Sequence, residues 1–176
     1  MPSVTILSGA PGTGKTTVAA RLARSSVRGA HIQADLFFGF PASPIPPHLP
    51  AAQEQNATIM VALARTAAAF ATRGYDVFLD GIFGPWFMPL LRAELADAAV
   101  DVHYVVLRAP LDICLQRVRG RRDQSDEAMV RKMHAELDEL GAYTRHAVAA
   151  SDLAAEQVAD EITRRLRIGE LRLVPS

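Results

Sequence analysis

The chain has 176 residues, which suits one domain over 1–176, and its 49% hydrophobic content argues against a disordered chain. Its 19 basic and 19 acidic side chains cancel. A net charge near zero gives no general attraction to nucleic acid or to an anionic membrane, so neither is an expected partner.

Short apolar runs alternate with helical patterns along the chain. Strands are predicted at 4–7, 30–33, 77–79, 102–107 and 146–149. Helices are predicted at 15–24, 53–72, 85–95, 110–117, 126–140 and 153–167, the last capped by Asp152. The five prolines between 40 and 50 exclude regular helix and central strand there, and predict a long functional loop. Strands that alternate with helices indicate an α/β fold with a parallel sheet covered on both faces.

A glycine-rich segment joins the first predicted strand to the first predicted helix. It matches the phosphate-binding pattern G-x-x-x-x-G-K-[ST], the P-loop. Its glycines let the backbone curl so that N–H groups point inward, and the following helix adds the positive end of its dipole. Lys15 is expected to reach the β- and γ-phosphates, and the Thr16 hydroxyl to bind Mg²⁺. The predicted contacts with ATP–Mg²⁺ are Gly9, Ala10, Pro11, Gly12, Thr13, Gly14, Lys15, Thr16 and Thr17.

Two aspartates are predicted to lie at the carboxyl ends of strands, which is the edge where open parallel sheets bind ligands. Asp80 follows the third predicted strand and would face the Mg²⁺ held by Thr16, binding it directly or through water. The alternative is an ordinary aspartate that caps a turn. Asp35 is predicted to end the second strand, and is the candidate to orient an acceptor hydroxyl and take its proton. A helix cap for the next segment is the alternative.

Four arginines, at 117, 119, 121 and 122, follow the fourth strand and its helix. They fit either an exposed charged helix end or a mobile lid at about 117–127. Lid arginines would close over the transferring phosphoryl group and stabilise its charge, with Arg119 and Arg122 as first candidates.

Aromatic residues cluster on the segments that follow Asp35 and Asp80. Some are expected to pack in the core, and others to form an apolar acceptor pocket beside the proline-rich loop, within an acceptor-side segment at about 36–52. The aromatic residues are Phe37, Phe38, Phe40, Phe83, Trp86 and Phe87.

The P-loop, Asp35, Asp80-Gly81 and the arginine cluster occur in the order found in small P-loop kinases. Over nearly its whole length the chain resembles the chloramphenicol phosphotransferase-like and zeta-toxin-like group of AAA-type small kinases. The resemblance implies a three-layer P-loop NTPase fold, a sheet in the order 2-3-1-4-5 and ATP-dependent phosphorylation of a hydroxyl. It also implies that Lys15 and Thr16 bind phosphate and magnesium, that Asp35 is the base, and that 146–153 lie near adenine.

One departure bears on the acceptor. Nucleoside monophosphate kinases resemble the chain at Asp80-Gly81 but continue to an arginine that binds the acceptor phosphate, where this chain has Gly84. This favours an uncharged, partly apolar acceptor, such as an antibiotic or a metabolite. The predicted function is therefore a small-molecule kinase, and the alternative is an NTP-hydrolysing switch or regulatory nucleotide-binding protein.

The expected compartment is the cytoplasm. The N-terminal segment lacks the basic region of a signal peptide, and no apolar run approaches the about 20 residues of a membrane span. The single cysteine, Cys114, cannot form an internal disulfide and is expected to be a buried core residue. The sequence is silent on oligomeric state.

Overall fold

The computed structural model describes residues 2–120, 127–151 and 153–173. Its strands are parallel and form one sheet in the order β2-β3-β1-β4-β5, which confirms the predicted fold class and strand order. The strands are β1 (Ser3–Gly9), β2 (Gly29–Gln33), β3 (Asp76–Asp80), β4 (Asp101–Arg108) and β5 (Ala147–Ala149). Because all strands run the same way, their carboxyl ends meet at one edge of the sheet.

Helices cover both faces of this sheet. They are α1 (Lys15–Ser25), α2 (Ala34–Phe38), α3 (Gln53–Ala71), α4 (Met88–Leu95), α5 (Leu111–Arg119), α6 (Glu127–Asp138) and α7 (Ala155–Arg167). Successive side chains of β1 point to opposite faces of the sheet, as in any β-strand. Ile6 packs in the cluster formed with α3 and α4, whereas Leu7 packs in the cluster formed with α1 and α7.

Two of the boundary differences affect residues to which the sequence assigned a role. The second strand ends at Gln33, so Asp35 is not a strand-end residue but lies in the first turn of the short helix α2. The last helix begins at Ala155 rather than 153, with Ala154 at its N-cap position. The Gln157 side chain accepts a hydrogen bond from the Ala154 N–H at 2.9 Å. The predicted cap, Asp152, lies outside the described residues.

The proline-rich loop contains no strand or α-helix between 39 and 49, as predicted. Since prolines lack an N–H, the loop is held instead by side-chain amides from α3. The Gln55 amide accepts from the Ile45 N–H at 2.9 Å and donates to the Ile45 carbonyl at 2.8 Å. Asn56 donates to the carbonyl of Pro47 at 2.8 Å. The loop is therefore fixed to the helix beside it.

Cys114 lies on the buried face of α5 with Leu115 and Val118, as predicted. Burial raises the pKa of its thiol, which disfavours the reactive thiolate. Among the residues that the structure describes, no helix is both long and apolar enough to cross a membrane.

Candidate active site

The glycine-rich segment leaves β1 and turns directly into α1. Gly14 occupies the N-cap position of α1 with a φ of 91°, a left-handed conformation that side-chain-bearing residues rarely adopt. The Ala10 carbonyl accepts from the Thr13 N–H at 3.2 Å and from the Thr13 hydroxyl at 2.9 Å, which closes the turn. No side chain of the N-cap residue covers the first N–H groups of α1, so the helix presents them to an anion.

Helix α5 packs closely against this loop. A Cβ added at Gly12, whose φ is 89°, would lie 2.4 Å from the carbonyl oxygen of Cys114. Arg117 donates to the Gly12 carbonyl at 3.3 Å. The Arg117 hydrogen bond holds the loop against α5. Glycine is required at position 12 because the φ is left-handed and α5 leaves no room for a side chain.

Asp80, at the end of β3, is buried beside the start of α1. The Thr16 hydroxyl donates to Asp80 Oδ1 at 3.1 Å, and His31 Nε2 lies 2.7 Å from Asp80 Oδ2. The structure thus brings together Thr16 and Asp80, the two predicted metal ligands, and adds a histidine on the far oxygen.

These oxygens suit Mg²⁺, which prefers hard oxygen ligands. Within the described ranges, no group of three or more histidine, cysteine, aspartate or glutamate side chains could hold a metal ion by itself. A hydroxyl and one carboxylate are nevertheless the kind of donor set that Mg²⁺ takes from a protein when phosphates and water supply its other ligands. The residues present therefore fit the ion.

Sequence reasoning missed His31, since no motif contains it. Strand pairing explains its position, because Gln33 pairs with Asp80 and His31 lies two residues earlier on β2. Residues two apart on a strand share a face of the sheet, so His31 and Asp80 point the same way. The strand order alone, without this register, could not have placed them in contact.

The segment after Asp80 is anchored by buried polar groups. The Phe83 N–H donates to the Ser8 hydroxyl at 2.9 Å, and the Tyr104 hydroxyl donates to the Phe83 carbonyl at 2.5 Å. Burial raises the pKa of Tyr104 well above its usual range, so the phenol stays protonated and keeps donating. These contacts fix the course of the chain from Asp80 toward Trp86.

A cavity of about 410 Å³ opens where β2 and β3 end, and Asp35 lies on its wall. We call it the Asp35 cavity. Hollows of about 530 and 620 Å³ lie elsewhere, lined by residues such as Val100 and Ser3 near the amino ends of strands. The Asp35 cavity is smaller, but it adjoins the strand ends that carry Asp80. Its lining comprises Ala34, Asp35, Phe38, Pro47, His48, Asn56, Met60, Ile82, Trp86, Phe87, Met129, Lys132, Met133 and Glu136.

The predicted aromatic cluster divides between cavity and core. Phe38, Trp86 and Phe87 line the Asp35 cavity. Phe83 is fully buried in the core and does not face the cavity. The rings of Phe37 and Phe40 pack against each other, with centroids 5.0 Å apart.

Helix α6 forms one wall of the cavity, which the sequence did not reveal. Its contribution is spaced i, i+3, i+4 and i+7, which places the residues on one helix face: Met129, Lys132, Met133 and Glu136. Their spacing marks a helix face, but only the tertiary structure shows that this face meets the segments after Asp35 and Asp80.

The arginine cluster is only partly described. Arg117 contacts the P-loop, as noted above, whereas Arg119 forms an exposed ion pair with Glu127 at 2.6 Å. Arg121 and Arg122 lie outside the described residues, and so does most of the segment predicted to form a lid. The roles assigned to Arg119 and Arg122 stay predictions.

Comparison with known proteins agrees with this architecture. A family model described as an AAA domain matches residues 4–146, and the chain belongs to this family. No curated protein sequence matches the chain. The family and the fold confirm the predicted resemblance to small P-loop kinases, without distinguishing the narrower subgroup.

Several solved structures share the fold. A sugar kinase from Janibacter sp. is 20% identical, with a TM-score of 0.73 over 97% of this chain and 96% of that one. A tunicamycin resistance protein from Deinococcus radiodurans is 22% identical, with a TM-score of 0.67 over 99% and 100%. The Mycobacterium tuberculosis APS kinase, in complex with AMPPNP and APS, is 20% identical, with a TM-score of 0.71 over 94% and 98%.

Proposed function

We propose that this member of the AAA domain family transfers the γ-phosphoryl group of ATP to a hydroxyl of a small, partly apolar molecule. One observation carries the proposal. The P-loop and the Thr16–Asp80 pair lie at the same sheet edge as a cavity with an exposed carboxylate, Asp35, on its wall. Proteins of similar fold that are named as kinases, including a sugar kinase and an APS kinase, support it.

The nucleotide half of the site comprises the P-loop and the start of α1. Backbone N–H groups of the P-loop bind the phosphates, except at Pro11, which has none, and at Thr13, whose N–H donates to the Ala10 carbonyl. The Lys15 ammonium neutralises the phosphate charge. Thr16 and Asp80 would hold Mg²⁺, which would supply stabilisation of the negative charge on the phosphates.

The acceptor half is the Asp35 cavity. The hydroxyl oxygen of the acceptor attacks the γ-phosphorus, the bond from that phosphorus to the β–γ bridging oxygen breaks, and ADP leaves. The hydroxyl proton passes to the Asp35 carboxylate. The apolar lining excludes water from the γ-phosphate once an acceptor fills the cavity, which limits hydrolysis.

The direct test is a screen of ATP consumption over hydroxylated metabolites and antibiotics, with mass spectrometry of the products. We expect one compound class to accelerate ATP use and gain a phosphoryl group. If no phosphorylated product forms while a protein partner changes ATP hydrolysis, the switch interpretation replaces this one.

His31 is expected to set the Mg²⁺ requirement by positioning Asp80. Its ring holds Oδ2 and leaves Oδ1 on the Thr16 side. In His31→Leu the carboxylate loses this partner, so the Mg²⁺ concentration that gives half-maximal binding of a fluorescent ATP analogue should rise several-fold. His31→Gln, which retains a donor, should recover part of the loss.

A matched control is His134→Gln. His134 is also partly buried and also bonds through Nε2, at 2.9 Å from the Ala109 carbonyl oxygen. It should leave the Mg²⁺ titration unchanged. Equal Mg²⁺ titrations for His31→Leu and the parent protein would show that His31 does not contribute to metal binding.

Arg119 and Arg122 are expected to act on the phosphoryl group in transit. Arg119→Ala and Arg122→Ala should lower the catalytic rate more than the affinity for ATP, because such charges matter most in the transition state. Arg117→Ala should instead weaken ATP binding, since it removes the contact with Gly12. Unchanged rates in both single variants and in the Arg119/Arg122 double variant would indicate that these arginines form only an exposed charged helix end.

A further inference from the structure

Negatively charged side chains outnumber positively charged ones in the described lining of the Asp35 cavity. Two carboxylates, Asp35 and Glu136, line it, against one ammonium, Lys132. Lys132 is the only lysine or arginine among the described residues of the lining, and its Nζ lies 3.8 Å from Glu136 Oε1. A bound phosphate or carboxylate needs a cation or several N–H groups aimed at it, and here the described cation already has a counter-ion.

Two neighbouring aromatic side chains, Trp86 and Phe87, also line the cavity. Trp86 is 47% exposed, and its ring centroid lies 6.0 Å from that of Phe87. The six-membered ring of Trp86 packs on the backbone of Gly84, where an added Cβ would lie 2.2 Å from a ring carbon. No side chain can therefore project from position 84 without displacing the indole. The aromatic part of the lining therefore offers ring surface and no charge.

We infer that the cavity selects acceptors that bear a ring and carry no anionic group, and that Glu136 sets this selection by neutralising Lys132. The inference rests on the proposed function in identifying the cavity as the acceptor site. Asp35 adds to the selection because it also lines the cavity and its negative charge repels anions. An alcohol that is neutral or bears an amine meets no such repulsion, and a ring of either kind can stack on Trp86.

Trp86 supplies the means to test this, because it is the only tryptophan of the chain. Its fluorescence reports occupation of the cavity without ATP and without turnover. We choose three alcohols that share a benzyl group and differ in charge: 2-phenylethanol is neutral, 3-phenyllactate is anionic and phenylalaninol is cationic. The parent protein should bind the neutral and cationic probes and bind 3-phenyllactate at least several-fold more weakly.

Glu136→Gln should reverse part of this preference. The substitution frees the Lys132 ammonium, so affinity for 3-phenyllactate should rise by about three- to fivefold, the scale of one exposed ion pair. Affinity for 2-phenylethanol should not change. Glu139→Gln is the matched control, since it removes the same charge just beyond the end of α6, outside the cavity lining.

Three results would overturn the inference. The first is equal affinity of the parent protein for 3-phenyllactate and 2-phenylethanol. The second is an equal rise in 3-phenyllactate affinity in both glutamate variants, which would indicate a general charge effect. The third is no response of Trp86 to any probe, because the cavity would then not admit small alcohols. The first two results leave phosphoryl transfer untouched, whereas the third would also count against the cavity as the acceptor site. Charge selection without transfer would contradict only the proposed function.

Discussion

Lys15→Ala is expected to lower ATP-dependent turnover by at least about 10²-fold, the scale of losing one preorganised charge-stabilising group. Lys15 begins α1, immediately after the left-handed Gly14, so its backbone position is fixed by the loop. Its ammonium is the one lysine charge that the P-loop pattern directs at the β- and γ-phosphates. Steady-state ATP consumption, together with binding of an ATP analogue, measures the loss.

The control for Lys15→Ala is Arg21→Ala, which removes the same charge from the same helix. Arg21 is exposed and pairs with Glu156 rather than with the loop. It should retain parental turnover, and both variants should unfold near the parental temperature. A Lys15→Ala protein that binds and uses ATP like the parent would show that the loop does not serve ATP.

Asp35→Asn is expected to retain ATP binding and lose most of the acceptor-stimulated rate, by roughly 10²–10⁴-fold for a lost general base. The change keeps the size of the side chain and removes its basicity. A loose transition state needs little help from a base, so a loss at the lower end of this range would indicate that Asp35 mainly orients the hydroxyl. Rates with and without acceptor separate this effect from any change in ATP hydrolysis.

Asp112→Asn provides the control for this substitution. Asp112 lies in the first turn of α5, as Asp35 lies in the first turn of α2, and both side chains are exposed. Only Asp35 lines the cavity. Equal stimulation of ATP use by the acceptor in Asp35→Asn and Asp112→Asn would show that Asp35 has no catalytic role.

The parts of the site that could be predicted are those encoded by contiguous residues. The P-loop is one segment whose glycines, lysine and threonine each have a local reason, and the apolar runs around it predict the parallel sheet. The contact of Thr16 with Asp80 is not local. It followed from the strand order implied by the resemblance to small P-loop kinases, in which β1 and β3 are neighbours.

The remaining parts depend on register and packing that no local pattern reveals. His31 reaches Asp80 only because Gln33 pairs with Asp80. Asp35 was expected at a strand end but lies in α2, since β2 stops two residues earlier. The face of α6 has the ordinary spacing of a packed helix, so its place in the cavity wall required the tertiary structure.

The central claim is that the γ-phosphoryl group goes to an alcohol in the Asp35 cavity. It is tested most directly with ATP labelled in the γ-phosphate and an acceptor that changes the fluorescence of Trp86. The account predicts that the label appears in the acceptor as a phosphate ester, at a rate that Asp35→Asn lowers and Asp112→Asn does not. Label found only in inorganic phosphate, released at the same rate with and without acceptor, would contradict it.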